Sequence, residues 1–166
     1  MNKALVILVI LASAPHPGAD AQGSSSYTQN AVYFEALGQG LLYSVNFDHR
    51  FTENIAFRVG FSSFSVALFT DVSITTIPLM AEFLTGHGSH HLEIGLGIVP
   101  VHGSISSDFF GTPEGSVGAW IVIWTASFGY RFQPTREGLL FRIGLTPLFV
   151  PHGAQIWGGA SIGYAF

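Results

Sequence analysis

The chain has 166 residues, enough for one domain, with 48% hydrophobic residues, only 10% charged ones and a formal net charge of −4. Average soluble proteins carry roughly 25% charged residues, so an ordinary soluble surface is excluded, and six Lys and Arg in all are too few for a nucleic-acid surface. The absence of cysteine removes both a disulfide scaffold and a thiolate site.

Residues 1–21 read as a secretory signal peptide. Lys3 gives the positive start, Ala4 to Ala14 the apolar run, and Ala19-Asp20-Ala21 a small-x-small site with cleavage expected after Ala21. Residues 22–30, QGSSSYTQN, form a polar, flexible leader. Beyond residue 22 no apolar run reaches the roughly 18 residues of a transmembrane helix.

From Ala31 the hydrophobic pattern has period 2, which is the strand signature. Eight strands are predicted, at about 31–38, 41–51, 55–66, 74–85, 90–101, 119–132, 138–149 and 157–166. In LLYSVNFDHRF, Leu41, Tyr43, Val45, Phe47, His49 and Phe51 alternate with Ser44, Asn46, Asp48 and Arg50. IAFRVGF, LEIGLGI and LLFRIGL repeat the scheme. The turns TEN, GHGS and QPTRE are short, whereas ALFTDVS, HGSISSDFFGTPEGSVG and VPHGAQI read as longer loops. Only GQG, between the first two strands, is short where a longer loop belongs.

An even number of strands of about ten residues, with short turns at one end and longer loops at the other, matches transmembrane barrels. On these features, and on the closing SIGYAF, the sequence resembles the small eight-stranded bacterial outer-membrane β-barrel proteins. The resemblance implies an all-β, antiparallel, up-and-down barrel over 31–166, with the short turns and the leader 22–30 on the periplasmic side. It also implies that Ile162, Tyr164 and Phe166 form the signal read by the barrel-assembly machinery. The implied partners are that machinery and outer-membrane lipid, with the barrel a monomer in a Gram-negative envelope.

Alternation alone does not say which face is lipid, since a soluble barrel turns its apolar face inward. Here one face is aromatic throughout, with Phe51, Tyr130, Phe132, Tyr164 and Phe166 placed for an interfacial girdle. The opposite face carries Glu35, Asp48, Arg50, Arg58, Glu82, Glu93, Arg131 and Arg142, four acids and four bases in one phase. Such neutrality suits a confined interior, because an unpaired buried charge costs several kcal/mol. Gly60, Gly95, Gly97, Gly129, Gly144, Gly159 and Gly163 share that phase and leave room for long side chains. Turn lengths predict Asp48 opposite Arg58, Glu82 beside Glu93 and Arg131 beside Arg142. Glu93 then meets Arg131, Arg58 reaches Glu82, and the belt closes the lumen to ions.

Other chemistry is weaker. His87, His90 and His91 crowd one turn, but His90 and His91 point to opposite faces and no carboxylate accompanies them, so no metal site is expected. His102, Ser104, Ser106, Asp108 and His152 fall in outer loops, where a lipid-modifying enzyme would need a Ser–His pair with an acidic orienter, yet their spacing matches no such motif. GLGIVPVHG lies in a strand and opens no helix, so it is no phosphate loop. Phe109 and Phe110, in the longest loop, suit a partner or lipid contact, or packing against the barrel rim. The expectation is a cofactor-free, non-enzymatic barrel with a structural or adhesive role and no specified extracellular ligand. The competing readings are a lipid A-modifying enzyme and a soluble exported barrel holding an apolar ligand.

Overall fold

A computed structural model of the chain describes residues 27–67, 71–106, 117–151 and 153–166. The signal-peptide residues 1–21, the loop aromatics Phe109 and Phe110, and Asp108 and His152 lie outside the described residues.

Nine strand segments build an eight-stranded wall: β1 (Asn30–Leu37), β2 (Tyr43–Arg50), β3 (Ile55–Ala67), β4 (Asp71–Thr76), β5 (Leu79–His87), β6 (His90–Ser106), β7 (Val117–Phe132), β8 (Gly138–Val150) and β9 (Gly153–Ala165). All pairings are antiparallel, and β1 pairs with both β2 and β9, which closes the sheet. Closure leaves no edge strand to satisfy elsewhere. β4 and β5 are the loop-end and turn-end halves of one wall strand, since β4 and β5 both lie between β3 and β6. The break falls at Ile77-Pro78, where proline has no N–H for the ladder. The wall stays hydrogen-bonded around it, with Gly60 N–H donating to the Pro78 carbonyl at 2.8 Å and Ile77 N–H to the Pro100 carbonyl at 3.0 Å.

Side-chain phase now has a direction. Arg58 and Arg131 are 0% exposed, while Trp124 and Leu96 are each 68% exposed. The barrel is inverted relative to a soluble one, with charges inside and apolar side chains outside. This overturns the reading as a soluble carrier, whose lumen would be lined by apolar residues. At the turn end the outward aromatics include Phe51, Tyr130, Phe141, Tyr164 and Phe166. Phe166 continues the closing ladder, exchanging N–H···O bonds of 2.8 and 2.9 Å with Asn30.

The outer connections differ from the pattern read in the sequence. β6 runs to Ser106 and β7 begins at Val117, so residues 102–106 and 117–118 of the longest predicted loop are paired strand. VPHGAQI is not a long loop, because Val150 faces Gly153 and the β8–β9 ladder continues from there. GQG is a single 3-10 turn, Gly38–Gly40, whose residues are all buried. It folds into the lumen instead of rising from the rim. Residues 27–30, read as part of the flexible leader, are held at the turn end. Thr28 is buried, donates to the Pro134 carbonyl at 2.9 Å and accepts from Gln133 at 2.8 Å.

Candidate functional site

The turn-end half of the lumen is occupied by an ion cluster. β3 presents Arg58, whose guanidinium lies 3.0 Å from Glu82 on β5 and 3.5 Å from Glu35 on β1. β7 presents Arg131, whose Nη1 meets Asp48 at 2.8 Å, Glu82 at 3.3 Å and Glu93 at 3.4 Å. β8 presents Arg142, which pairs with Glu82 at 3.2 Å and forks onto Glu93, its Nε donating at 3.0 Å and its Nη2 to the second oxygen. Ser44 donates to Glu35 at 3.3 Å. Charge-assisted and partly bidentate bonds of this kind are the strong ones, and a buried charge needs them.

Tyr33 on β1 completes the cluster, and nothing but its phase, shared with Glu35, marks it in the sequence. Its hydroxyl accepts from Arg142 at 2.6 Å and from Arg58 at 3.4 Å, and its ring lies 4.8 Å beneath the Arg142 guanidinium. The neighbouring strand makes space for this ring with Gly163. A Cβ there would fall 2.2 Å from the Val32 carbonyl and 2.3 Å from the Tyr33 Cβ, so any larger residue collides with backbone.

The structure brings Glu35, Asp48, Arg58, Glu82, Glu93, Arg131 and Arg142 into one contact network. Arg50 faces inward below it, donating to the Glu53 carbonyl and lying 4.7 Å over the Tyr27 ring. Two features of the expected belt are corrected. Glu82 faces Gly95 across β5–β6, and Glu93 faces Leu84, because the hairpin closes through His87 and His90. Asp48 and Arg58 are opposite in register, yet Asp48 is met by Arg131 from the far side. An eight-stranded lumen is narrow enough for side chains to span, so the pairing runs across the lumen as well as around it.

The remaining sequence candidates stay apart. His90 points outward to the Tyr130 hydroxyl, His91 points inward and is buried, and His87 is exposed. Among the described residues no group of three or more His, Cys, Asp or Glu is placed to hold a metal. His102 and Ser104 belong to strand β6 and not to a loop, and the His102 ring lies 4.8 Å from Trp120. Ile162 and Tyr164 face outward on β9, beside Phe34 and Val32 of β1. At the loop end Gln39 of the inturned 3-10 turn is 1% exposed, with neither side-chain polar atom partnered among the described residues.

The same wall recurs in solved structures. The N-terminal β-barrel domain of Pseudomonas aeruginosa OprF superposes with a TM-score of 0.59 at 14% identity, covering 84% of this chain and 99% of that one. The fold is that of the small outer-membrane barrels. Neisserial surface protein A, NspA, gives a TM-score of 0.50 at 14% identity, covering 87% of this chain and 96% of its own. No protein-family model matches the chain, and no curated protein sequence does. At such identities the likeness is one of backbone architecture, and the luminal residues must be argued from their own geometry.

Proposed function

We propose that the chain is a small outer-membrane β-barrel whose lumen is sealed by its ion cluster, with a structural or adhesive role exercised through its loop end. The observation that carries this reading is the inversion itself: a closed wall with aromatic and aliphatic side chains outside and paired charges inside. Such a surface is stable against hydrocarbon and unstable in water. Heat-modifiable migration checks it. The folded barrel should resist SDS until boiled, whereas unchanged mobility on boiling would remove the membrane assignment.

The sealed lumen argues against an open pore, since the cluster spans the turn-end half with ion pairs that run from wall to wall. Negligible conductance in planar bilayers is expected, and a steady, large single-channel current would sink the sealed-barrel reading. The loop end is assigned to the outside and the short turns to the periplasm. Ser107→Cys should therefore label from outside intact cells and Thr135→Cys should not. Phe109 and Phe110 are the proposed contact residues of the longest loop. Ile162, Tyr164 and Phe166 are the proposed assembly signal, so deleting Phe166 should sharply reduce the inserted fraction. No catalytic role is proposed, and incubation with purified lipid A should leave its acyl chains intact.

A further inference from the structure

Strands of unequal length leave the loop end of the wall uneven. The last pairing of β7 with β8 is Trp124 with Phe149, and β8 turns back where Val150 faces Gly153. β7 nevertheless extends to Val117, paired there with β6 alone among the described residues. The direction of its free backbone groups follows from the ladder. Gln133 N–H donates to the Ser89 carbonyl across β6–β7, and the register with β6 is unbroken from Phe132 to Val117. In an antiparallel ladder the bonds to one neighbour come from every second residue. The odd-numbered residues of β7 therefore bond to β6. Gly118, Trp120 and Val122 turn their N–H and C=O groups the other way, to the side that β8 has left.

Natural sheets blunt such edges with charge, proline or a bulge. The segment GAWIVIW, residues 118–124, has neither charge nor proline, and its pairing shows no bulge. Trp120, Ile121 and Val122 are between 56% and 59% exposed, so the edge is apolar on both faces. Two other strands outrun a neighbour, and both are blunted. On β3 the Ser63 carbonyl accepts from the Tyr43 hydroxyl. On β9, above its pairing with β1, Gly153 takes a φ of 140° that departs from a regular strand.

Depth narrows what can meet the β7 edge. Trp120 and Tyr130 stand ten residues apart on β7, a height of about 25 Å for a strand rising roughly 3.3 Å per residue at a tilt of about 40°. That is the height of the apolar band of a membrane barrel. The edge thus lies at the outer border of the membrane, and an open sheet edge is not sustained in hydrocarbon. A second copy in the same membrane does not close it. Pairing this edge with itself about a two-fold axis needs antiparallel strands, whereas two β7 strands in one membrane both descend from the outer rim.

We infer that the free edge of β7, at Gly118, Trp120 and Val122, is a docking site for an extended, uncharged segment of a partner protein, which joins the wall as a strand in line with β8. Donors and acceptors alternating at strand spacing are matched by another strand, and the two apolar faces select apolar side chains on it. The inference rests on the membrane reading for the depth of the edge, and it gives the adhesive loop end its kind of partner.

The test uses the full chain in detergent micelles, with a fluorescent synthetic octapeptide of alternating valine and threonine as the probe. Without peptide, the amides of Gly118, Trp120 and Val122 should exchange hydrogen about tenfold or more faster than those of Ala119, Ile121 and Ile123. Saturating peptide should slow them by about as much. Val122→Pro removes an N–H that β6 does not use, and it should weaken peptide binding about fivefold to tenfold, the equivalent of one backbone hydrogen bond. Val122→Thr keeps that N–H and should bind as the unaltered chain does. Heat-modifiable migration verifies folding, and if Val122→Pro does not fold, the same peptide N-methylated at every residue decides, since it has no N–H to donate and should not bind. Unchanged mobility of the unaltered chain on boiling removes the membrane reading, whereas the exchange pattern bears on the edge itself. Three results would overturn the site: Gly118, Trp120 and Val122 protected as well as their neighbours in the chain alone, no saturable binding of the peptide, or binding that neither Val122→Pro nor N-methylation weakens.

Discussion

The two halves of the lumen solve the same packing problem with different chemistry. In the turn-end half, seven acidic and basic side chains and Tyr33 interlock across the barrel. In the loop-end half the buried inward residues include Ser62, Thr76, Val99, Val101, Thr125, Thr146 and Leu148, and the inturned turn that carries Gln39 packs against Glu35 at the edge of the cluster. No charged side chain lies among them. The first arrangement is expensive to assemble and severe to break, because every member depends on partners from distant strands. The second resembles an ordinary protein core, where each residue contributes its own contact area and little more. Filling a lumen with ions therefore confers a closed passage with directional specificity, and filling it with hydroxyl and aliphatic groups confers only occupancy.

That contrast can be broken at four points. Arg131→Ala strands Asp48 and leaves Glu82 and Glu93 short of a cation, so it should cost about 3–5 kcal/mol in urea unfolding from lipid vesicles. Tyr33→Phe keeps the ring beneath Arg142 and removes only the hydroxyl that accepts from two arginines. A loss of about 1.5–3 kcal/mol is expected by the same measurement. Val101→Ala, in the loop-end half, should cost about 1–2 kcal/mol, the transfer and cavity terms of two methyl-sized groups. A value as large as that of Arg131→Ala would erase the distinction between the halves. Gln39→Met should be neutral or stabilising by up to about 1 kcal/mol, because it replaces two unpartnered buried polar atoms with a flexible apolar chain.

The sequence makes the inner phase legible because charge is so scarce in it. Asp48 opposite Arg58 and Arg131 opposite Arg142 follow from the TEN and QPTRE turns, and the ladders have those registers. The Glu82–Glu93 relation does not follow, since GHGS reads as a four-residue turn while the hairpin closes on Gly88 and Ser89 alone. Gly88 supplies the positive φ of 64° that so tight a turn requires. The slip is of two residues, so each side chain keeps its face while its partner changes. Tyr33 was illegible for a different reason. An aromatic in a strand suits either face of a membrane barrel, and only its contacts with Arg58 and Arg142 reveal its role. The loop end reads too long in the sequence because Gly, Pro and His suggest irregular chain, whereas Val150 already faces Gly153 in the β8–β9 ladder.

The ion cluster draws one member or more from every wall strand except β9, and Asp48 and Arg131, joined at 2.8 Å, stand 83 positions apart in the chain. No hairpin and no half-barrel can assemble it. Its bonds belong to the end of the folding reaction, after the wall has curled and β1 has found β9. Interactions absent from the transition state act on the escape rate and leave the entry rate alone. The cluster is thus a latch, and its contribution is to the lifetime of the inserted barrel, with little influence on how fast the barrel forms.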